Sequence, residues 1–132
     1  RLALVTAKGS PRRVLVAHDD PPMRHLIEAA LRLVGHAVEE CGSVGDLVDR
    51  MRAADAVVVD GRLGGRRPDE VAALCARFAP DVPRVLVCGA REEVLRMHTP
   101  PDRHLCVLAA PFRPADIIGA VDGVTTGDAI PA

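Results

Sequence analysis

The chain has almost no aromatic residues and no excess of positive charge. It contains no tryptophan and no tyrosine, and Phe78 and Phe112 are the only phenylalanines among 132 residues. A hydrophobic core must therefore be built from aliphatic side chains. The formal net charge is -1. A nucleic-acid surface needs clustered Lys and Arg to neutralise phosphates, so the composition argues against nucleic-acid binding by this domain.

Paired cysteines and long apolar segments are also missing. None of the four cysteines forms a C-x-x-C pair, which argues against a zinc ribbon or a redox motif. Each of them lies in or beside an apolar run, where a free cysteine acts as a small buried hydrophobe, and this usage fits a reducing cytosol. No signal-peptide pattern and no membrane-length apolar span is found. We therefore expect a cytoplasmic protein without a membrane segment.

Apolar residues make up 48% of the chain, which is enough for one hydrophobic core. Short β-branched runs predict buried strands, and stretches with apolar residues at helical spacing predict helices between them. The predicted strands are 14–17, 37–40, 56–59, 85–87 and 105–109, with the acidic 37–40 run expected at an edge. The predicted helices start at or just after Pro21, Ser43, Pro68, Arg91 and Pro114.

Five repeats of strand and helix predict one α/β domain, a parallel sheet with helices on both faces. We place this domain at 13–122, an N-terminal arm or tag remnant at 1–12, and a C-terminal tail or linker at 123–132. The working crevice of such a sheet lies beyond the carboxyl ends of its strands. The candidate residues at those ends are His18-Asp19-Asp20, Asp60, Cys88-Gly89 and Ala110-Pro111.

Two acids, Asp19 and Asp60, directly follow buried strands at the same end of the predicted sheet. Two carboxylates brought together without a counter-charge repel, so one must protonate or a cation must bind. Mg²⁺ held by two carboxylates and a backbone carbonyl is the usual solution, and a carboxylate beside Mg²⁺ can attack a phosphoryl group. In the simpler alternative, Asp19 caps a helix and Asp60 starts a turn.

Three segments resemble the receiver domains of bacterial response regulators. Residues 14–24 hold a buried strand, an acidic pair and an arginine; residues 57–63 hold a strand that ends in Asp60; and Ala110-Pro111-Phe112 stands where the family has Lys-Pro-Phe. The resemblance covers roughly residues 13–121. It implies a flavodoxin-like three-layer sandwich with five parallel strands in the order 2-1-3-4-5, and a signalling module, not an enzyme.

The resemblance also implies roles for individual residues. Asp60 matches the phospho-acceptor, Asp19 the main metal-binding acid, and Arg62 the position whose backbone carbonyl binds the metal. His18 stands where the family has the first acid, which lowers the negative charge and favours softer ions, so we expect Mg²⁺ to be held weakly. Two alternatives remain, a shifted register with Asp19 and Asp20 as the acid pair, and a transition metal held by His18, Asp19 and Asp60.

Three further positions depart from the family. Cys88 stands where the family has Thr or Ser, Ala110 where it has lysine, and Val107 where it has the aromatic switch residue. Without the lysine, the acceptor carboxylate and its phosphoryl group lose a strong charge-assisted contact. A thiol donates only weakly. The arginines of the loop after Asp60 are an alternative source of positive charge: Arg62, Arg66 and Arg67.

We therefore expect an atypical pseudo-receiver that acts by protein contacts or through a ligand other than phosphate. The alternative is a functional phospho-receiver that accepts a phosphoryl group on Asp60 from a histidine kinase. An enzyme of another flavodoxin-like family is a third reading, but no glycine-rich phosphate loop follows Val16. The implied partners are a sensor histidine kinase or another signalling protein, an output domain in the same or another chain, and a second copy bound through helix 4, strand 5 and helix 5.

Overall fold

The computed structural model describes residues 11–127, which fold as an α/β sandwich. The strands are β1 (Arg13–Ala17), β2 (Ala37–Cys41), β3 (Ala56–Asp60), β4 (Arg84–Cys88) and β5 (Leu105–Ala109). All neighbouring strands pair in parallel, and their order is β2-β1-β3-β4-β5, which confirms the expected fold class. The helices are α1 (Pro21–Leu33), α2 (Val44–Arg50), α3 (Pro68–Phe78), α4 (Arg91–Leu95) and α5 (Pro114–Thr126).

The core has two aliphatic layers, one on each face of the sheet. Successive side chains of a strand point to opposite faces, so the three central strands supply both layers. Leu15, Val57 and Leu86 pack on the face covered by α2 and α3. Val14, Val58 and Val85 pack on the face covered by α1 and α5. Within the described residues, no helix is both long enough and apolar enough to cross a bilayer.

Local sequence explains most helix ends. The hydroxyl oxygen of Ser43 accepts the N–H of Asp46 at 3.1 Å, so Ser43 caps α2 as predicted. The chain leaves α1 at Gly35, whose φ of 95° is a conformation that favours glycine. Asp20 is the N-cap residue of α1, but its side chain makes no capping hydrogen bond. Pro21 in the first turn favours the start of the helix.

Helix α4 is shorter than predicted, because the residues after it bond to α3. The Pro100-Pro101 pair closes the predicted helix, which the sequence therefore places at 91–98, whereas α4 ends at Leu95. A carboxylate oxygen of Asp69 accepts the N–H of His98 and the hydroxyl of Thr99, both at 3.0 Å. These bonds hold the segment against the start of α3, in a conformation that does not continue the helix.

Helix α5 is longer than predicted. It continues to Thr126, and Gly123 and Val124 within it are buried, so the domain boundary predicted at 122 falls inside a helix. Gly123 and the β-branched residues at 124–126 have low helix propensity, but burial of the helix face outweighs it. The first ten residues of the predicted arm and residues 128–132 of the predicted tail lie outside the described residues.

Two burial predictions also fail. Leu26 falls on the apolar stripe of the α1 sequence, and such a stripe predicts burial, yet 40% of its surface is exposed. Strand β5 was expected to be buried on both faces, but all its residues are only partly buried. The reason for the second failure is its place in the sheet, since β5 is the edge strand opposite β2. Sequence periodicity identifies a strand but does not give its position in the sheet.

Candidate functional site

A cavity of about 280 Å³ lies where the carboxyl ends of the central strands meet. We call it the crevice. Parallel strands bring their carboxyl ends to one edge of a sheet, and the structure brings together Asp60 at the end of β3, Cys88 at the end of β4 and Ala110 just after β5. Asp19 does not line the crevice, whereas its neighbour Asp20 does. The lining residues are His18, Asp20, Met23, Asp60, Arg62, Val87, Cys88, Gly89, Glu93 and Ala110.

Asp60 is mostly buried, with 15% of its side chain exposed. Its Oδ1 accepts the backbone N–H of Arg62 at 3.0 Å, and its Oδ2 lies 3.7 Å from Nδ1 of His18. At 3.7 Å, that second contact is longer than a hydrogen bond. The same Nδ1 accepts the N–H of Asp20 at 3.1 Å, so its lone pair is directed to Asp20. In this arrangement, Nδ1 of His18 does not donate a hydrogen bond to Asp60.

Asp19 is directed to the loop between β3 and α3. Its Oδ2 accepts the N–H of Gly64 at 2.9 Å. Gly64 has a φ of 66°, and a Cβ placed there would lie 2.8 Å from a guanidinium nitrogen of Arg66 and 2.9 Å from a methyl carbon of Val44. Only glycine fits this conformation and this space. Asp19 thus fixes the turn after β1 to the loop after β3.

The groups that the resemblance assigns to Mg²⁺ accept hydrogen bonds from the protein itself. Asp19, Asp60 and the Arg62 carbonyl each accept a backbone N–H from residues 62–65 of the same loop. Among residues 11–127, no three His, Cys, Asp or Glu side chains are placed together so that they could hold a metal ion. His18, Asp19 and Asp60 therefore do not form the cluster that the transition-metal alternative requires. The weakly held Mg²⁺ of the sequence analysis stays a prediction.

Positive charge is also missing on the side where the family has its lysine. Ala110 contributes only a methyl group, and residues 11–127 contain no lysine. Of the arginines after Asp60, Arg62 pairs through Nε with a carboxylate oxygen of Glu93 at 2.5 Å, and Arg67 pairs with Glu70 at 3.3 Å. The Arg66 guanidinium lies beside Gly64. These contacts do not support the alternative that the arginines supply the missing cation to Asp60.

Glu93 is the crevice residue that sequence reasoning missed. It lies on α4 with only 13% of its side chain exposed. Besides its contact with Arg62, it accepts the N–H of Gly89 through Oε1 at 2.9 Å. The available signal was a glutamate in the first turn of a predicted helix, which is typical of ordinary helix capping. Nothing in that pattern indicates a contact with the loop after β3.

Cys88 is buried in the wall of the crevice, with 1% of its surface exposed. Burial, with smaller contributions from the nearby Glu93 and Asp60 carboxylates, raises the pKa of the Cys88 thiol to about 11. The thiol therefore stays protonated at neutral pH and is not an activated nucleophile. As the replacement for a Thr or Ser hydroxyl, it is a weak hydrogen-bond donor.

A second, larger cavity of about 710 Å³ runs between α4, β5 and α5. Val107, at the position of the family's aromatic switch residue, lines it together with Val94, Met97 and Leu105. These side chains also pack against the core layer on the α3 side of the sheet. We call this cavity the α4–β5–α5 groove.

Several solved structures share this fold. No protein-family model matches the chain, and no curated protein matches it by sequence. The PhyR stress response regulator is 25% identical with a TM-score of 0.67, over 89% of this chain and 46% of that one. A response regulator receiver protein from Sinorhizobium medicae WSM419 is 24% identical with a TM-score of 0.71, over 88% of this chain and 95% of that one.

A receiver domain protein from Bacillus halodurans c-125 is 17% identical with a TM-score of 0.70, over 93% of this chain and all of that one. The chain therefore spans about half the length of the PhyR structures and nearly the whole of the two receiver structures. At these identities, the shared feature is the fold.

Proposed function

We propose that this chain, a receiver domain of the response-regulator type, is an atypical pseudo-receiver. It signals through protein contacts, or through a ligand other than a phosphoryl group. The observation that carries the proposal is that Asp60 has no lysine or arginine partner among the described residues. Its carboxylate contacts the backbone N–H of Arg62 and Nδ1 of His18, and Ala110 stands at the position of the family's lysine.

The charge balance of the crevice supports this proposal. A phosphoryl group on Asp60 would turn its carboxylate into an acyl phosphate that carries about -1.5 to -2 at neutral pH, so the crevice would gain up to about one negative charge. That charge would lie in a cavity that the Asp20 carboxylate also lines. Two like charges about 4 Å apart repel by on the order of 4 kcal/mol at the effective dielectric constant of a protein surface. Arg62 and Glu93 also line the crevice, but they pair with each other, so the charge of Arg62 is already balanced.

The experiment is intact-mass analysis after incubation with acetyl phosphate and Mg²⁺. Wild type is compared with Asp60→Asn, and a working receiver domain serves as the positive control. We expect no mass gain in the wild type. A gain of one phosphoryl group in the wild type but not in Asp60→Asn would overturn the proposal and make Asp60 a working acceptor for a sensor histidine kinase.

The α4–β5–α5 groove is the proposed contact surface. Its lining is partly apolar, and β5 is an edge strand, so the surface offers apolar area and unpaired backbone groups to a partner. We propose that a second copy or an output domain, in the same or another chain, binds there. Sedimentation equilibrium of wild type and Met97→Glu tests the homodimer. A dimer that Met97→Glu does not weaken would place the interface elsewhere.

A further inference from the structure

One carboxylate, that of Glu93, joins the two loops that flank the crevice. Its Oε1 accepts the N–H of Gly89 in the turn between β4 and α4. Its Oε2 accepts from Nε of Arg62 in the loop between β3 and α3. Arg62 and Glu93 are 31 positions apart in the sequence. We call this set of contacts the Glu93 bridge.

Helix capping explains only one of the two contacts of Glu93. A glutamate in the first turn of a helix commonly accepts a backbone N–H near the helix start, and the bond from Gly89 is of that kind. The Arg62 contact goes beyond it, because it crosses to another loop. Arg62 and Glu93 also line both the crevice and a neighbouring groove of about 450 Å³, so their pair forms the wall between these two cavities.

Arg62 connects the bridge to Asp60. Its backbone N–H is bonded to Oδ1 of Asp60, while its side chain is bonded to Glu93. Asp60 and the β4–α4 turn are therefore linked through protein groups alone. Charge-assisted hydrogen bonds of this kind are stronger than neutral ones, and Glu93 makes two of them while mostly shielded from water.

We propose that Glu93 is an internal anion that holds the crevice and α4 in one fixed arrangement without a phosphoryl group. This inference rests on the pseudo-receiver function and says how that function is maintained. Helix α4 also carries Val94, which with the following Met97 lines the α4–β5–α5 groove. A fixed α4 presents that groove in one conformation, so the contact surface is permanently available. The bridge is thus a built-in substitute for a phosphorylation-dependent switch.

Amide hydrogen exchange of the whole chain, without any phospho-donor, tests the bridge. The variants are Glu93→Ala and Arg62→Ala. Glu92→Ala is the matched control, since it removes the same charge from the neighbouring, exposed residue of α4. We expect exchange of amides in 62–66 and 88–92 to rise about tenfold in both variants, and less than about twofold in the control.

The Arg62→Ala result separates the bridge from simple capping. A capping role predicts unchanged exchange at 88–92 in Arg62→Ala, because the Gly89 bond survives, and that result would overturn the proposal. Equal effects of Glu92→Ala and Glu93→Ala would overturn it too. If Glu93→Ala does not fold, Glu93→Gln removes the charge at the same volume and is expected to raise exchange at 62–66. Exchange and acetyl phosphate labelling are separate measurements, so either proposal can fail alone.

Discussion

Removing the carboxylate of Asp102 is expected to destabilise the fold far more than an ordinary surface charge change would. Its partner is Arg84 on β4, which is only 1% exposed and is the largest fully buried side chain of the described core. The Arg84 guanidinium donates to Asp102 and to the carbonyls of Pro80 and Val82, and its buried Nε has no partner among the described residues.

The magnitude follows from burial of the charge. Deleting one partner of a buried ion pair costs about 3–5 kcal/mol, because the other charge stays buried without compensation. Asp102 is 24% exposed, so water reaches part of the site, and we expect about 3 kcal/mol for Asp102→Ala. With a urea m-value of about 1.5 kcal/mol/M, the unfolding midpoint falls by about 2 M. Arg84→Met removes the charge itself and is expected to cost less than about 1 kcal/mol.

Urea unfolding followed by far-ultraviolet circular dichroism measures these changes. Arg67→Ala is the control, because the Arg67–Glu70 pair is exposed and exposed pairs contribute at most about 1 kcal/mol. The reasoning is refuted if Asp102→Ala costs no more than Arg67→Ala, or if Arg84→Met costs more than Asp102→Ala. Either result would mean that burial of the guanidinium does not govern the energy of this pair.

Three more results follow from the structure. Cys88, with its pKa of about 11 and its burial, is expected to resist iodoacetamide at pH 8 in the native protein and to react once the chain is unfolded, as peptide mass analysis will show. Gly64→Ala places a Cβ at positive φ against its neighbours, so urea unfolding should show a loss of about 1–3 kcal/mol. Burial lowers the pKa of His36 below 6.5 in the folded protein. As the pH falls, His36 therefore takes up a proton in the unfolded chain before it does so in the folded one. Stability from His36 is present above pH 6.5 and is lost as pH falls through its lower folded pKa, and thermal unfolding of His36→Asn should show a flatter pH dependence.

The sheet could be predicted from the sequence because its strands are local. Each strand is a short β-branched run, and each run was found within one residue or so of its observed bounds. The order of the strands came from the resemblance, and that order already places strand 5 at an edge. The expectation that β5 is fully buried came from its apolar run alone. Helix ends were less predictable where a distant group decides them. The end of α4 depends on Asp69, which lies more than 20 residues earlier in the chain.

The site was predictable to the level of which strand ends meet. Asp60, Cys88 and Ala110 come together because parallel strands end at one edge. Side-chain direction was not predictable, since Asp19 leaves the crevice to reach Gly64 and Asp20 lines it instead. Glu93 enters from a helix whose sequence looks like an exposed acidic turn. In each case a contact between two loops, which no local pattern encodes, decides the outcome.

Binding of beryllofluoride, an analogue of the phosphoryl group on aspartate, is the most direct measurement of whether this crevice can hold a phosphoryl group. Fluorine NMR would be recorded with Mg²⁺ for wild type, for Asp60→Asn and for the double variant Ala110→Lys with Cys88→Thr. The lack of a cation for Asp60 predicts no bound fluoride resonances in the wild type and a gain of binding in the double variant. Saturable binding by the wild type that disappears in Asp60→Asn would contradict it.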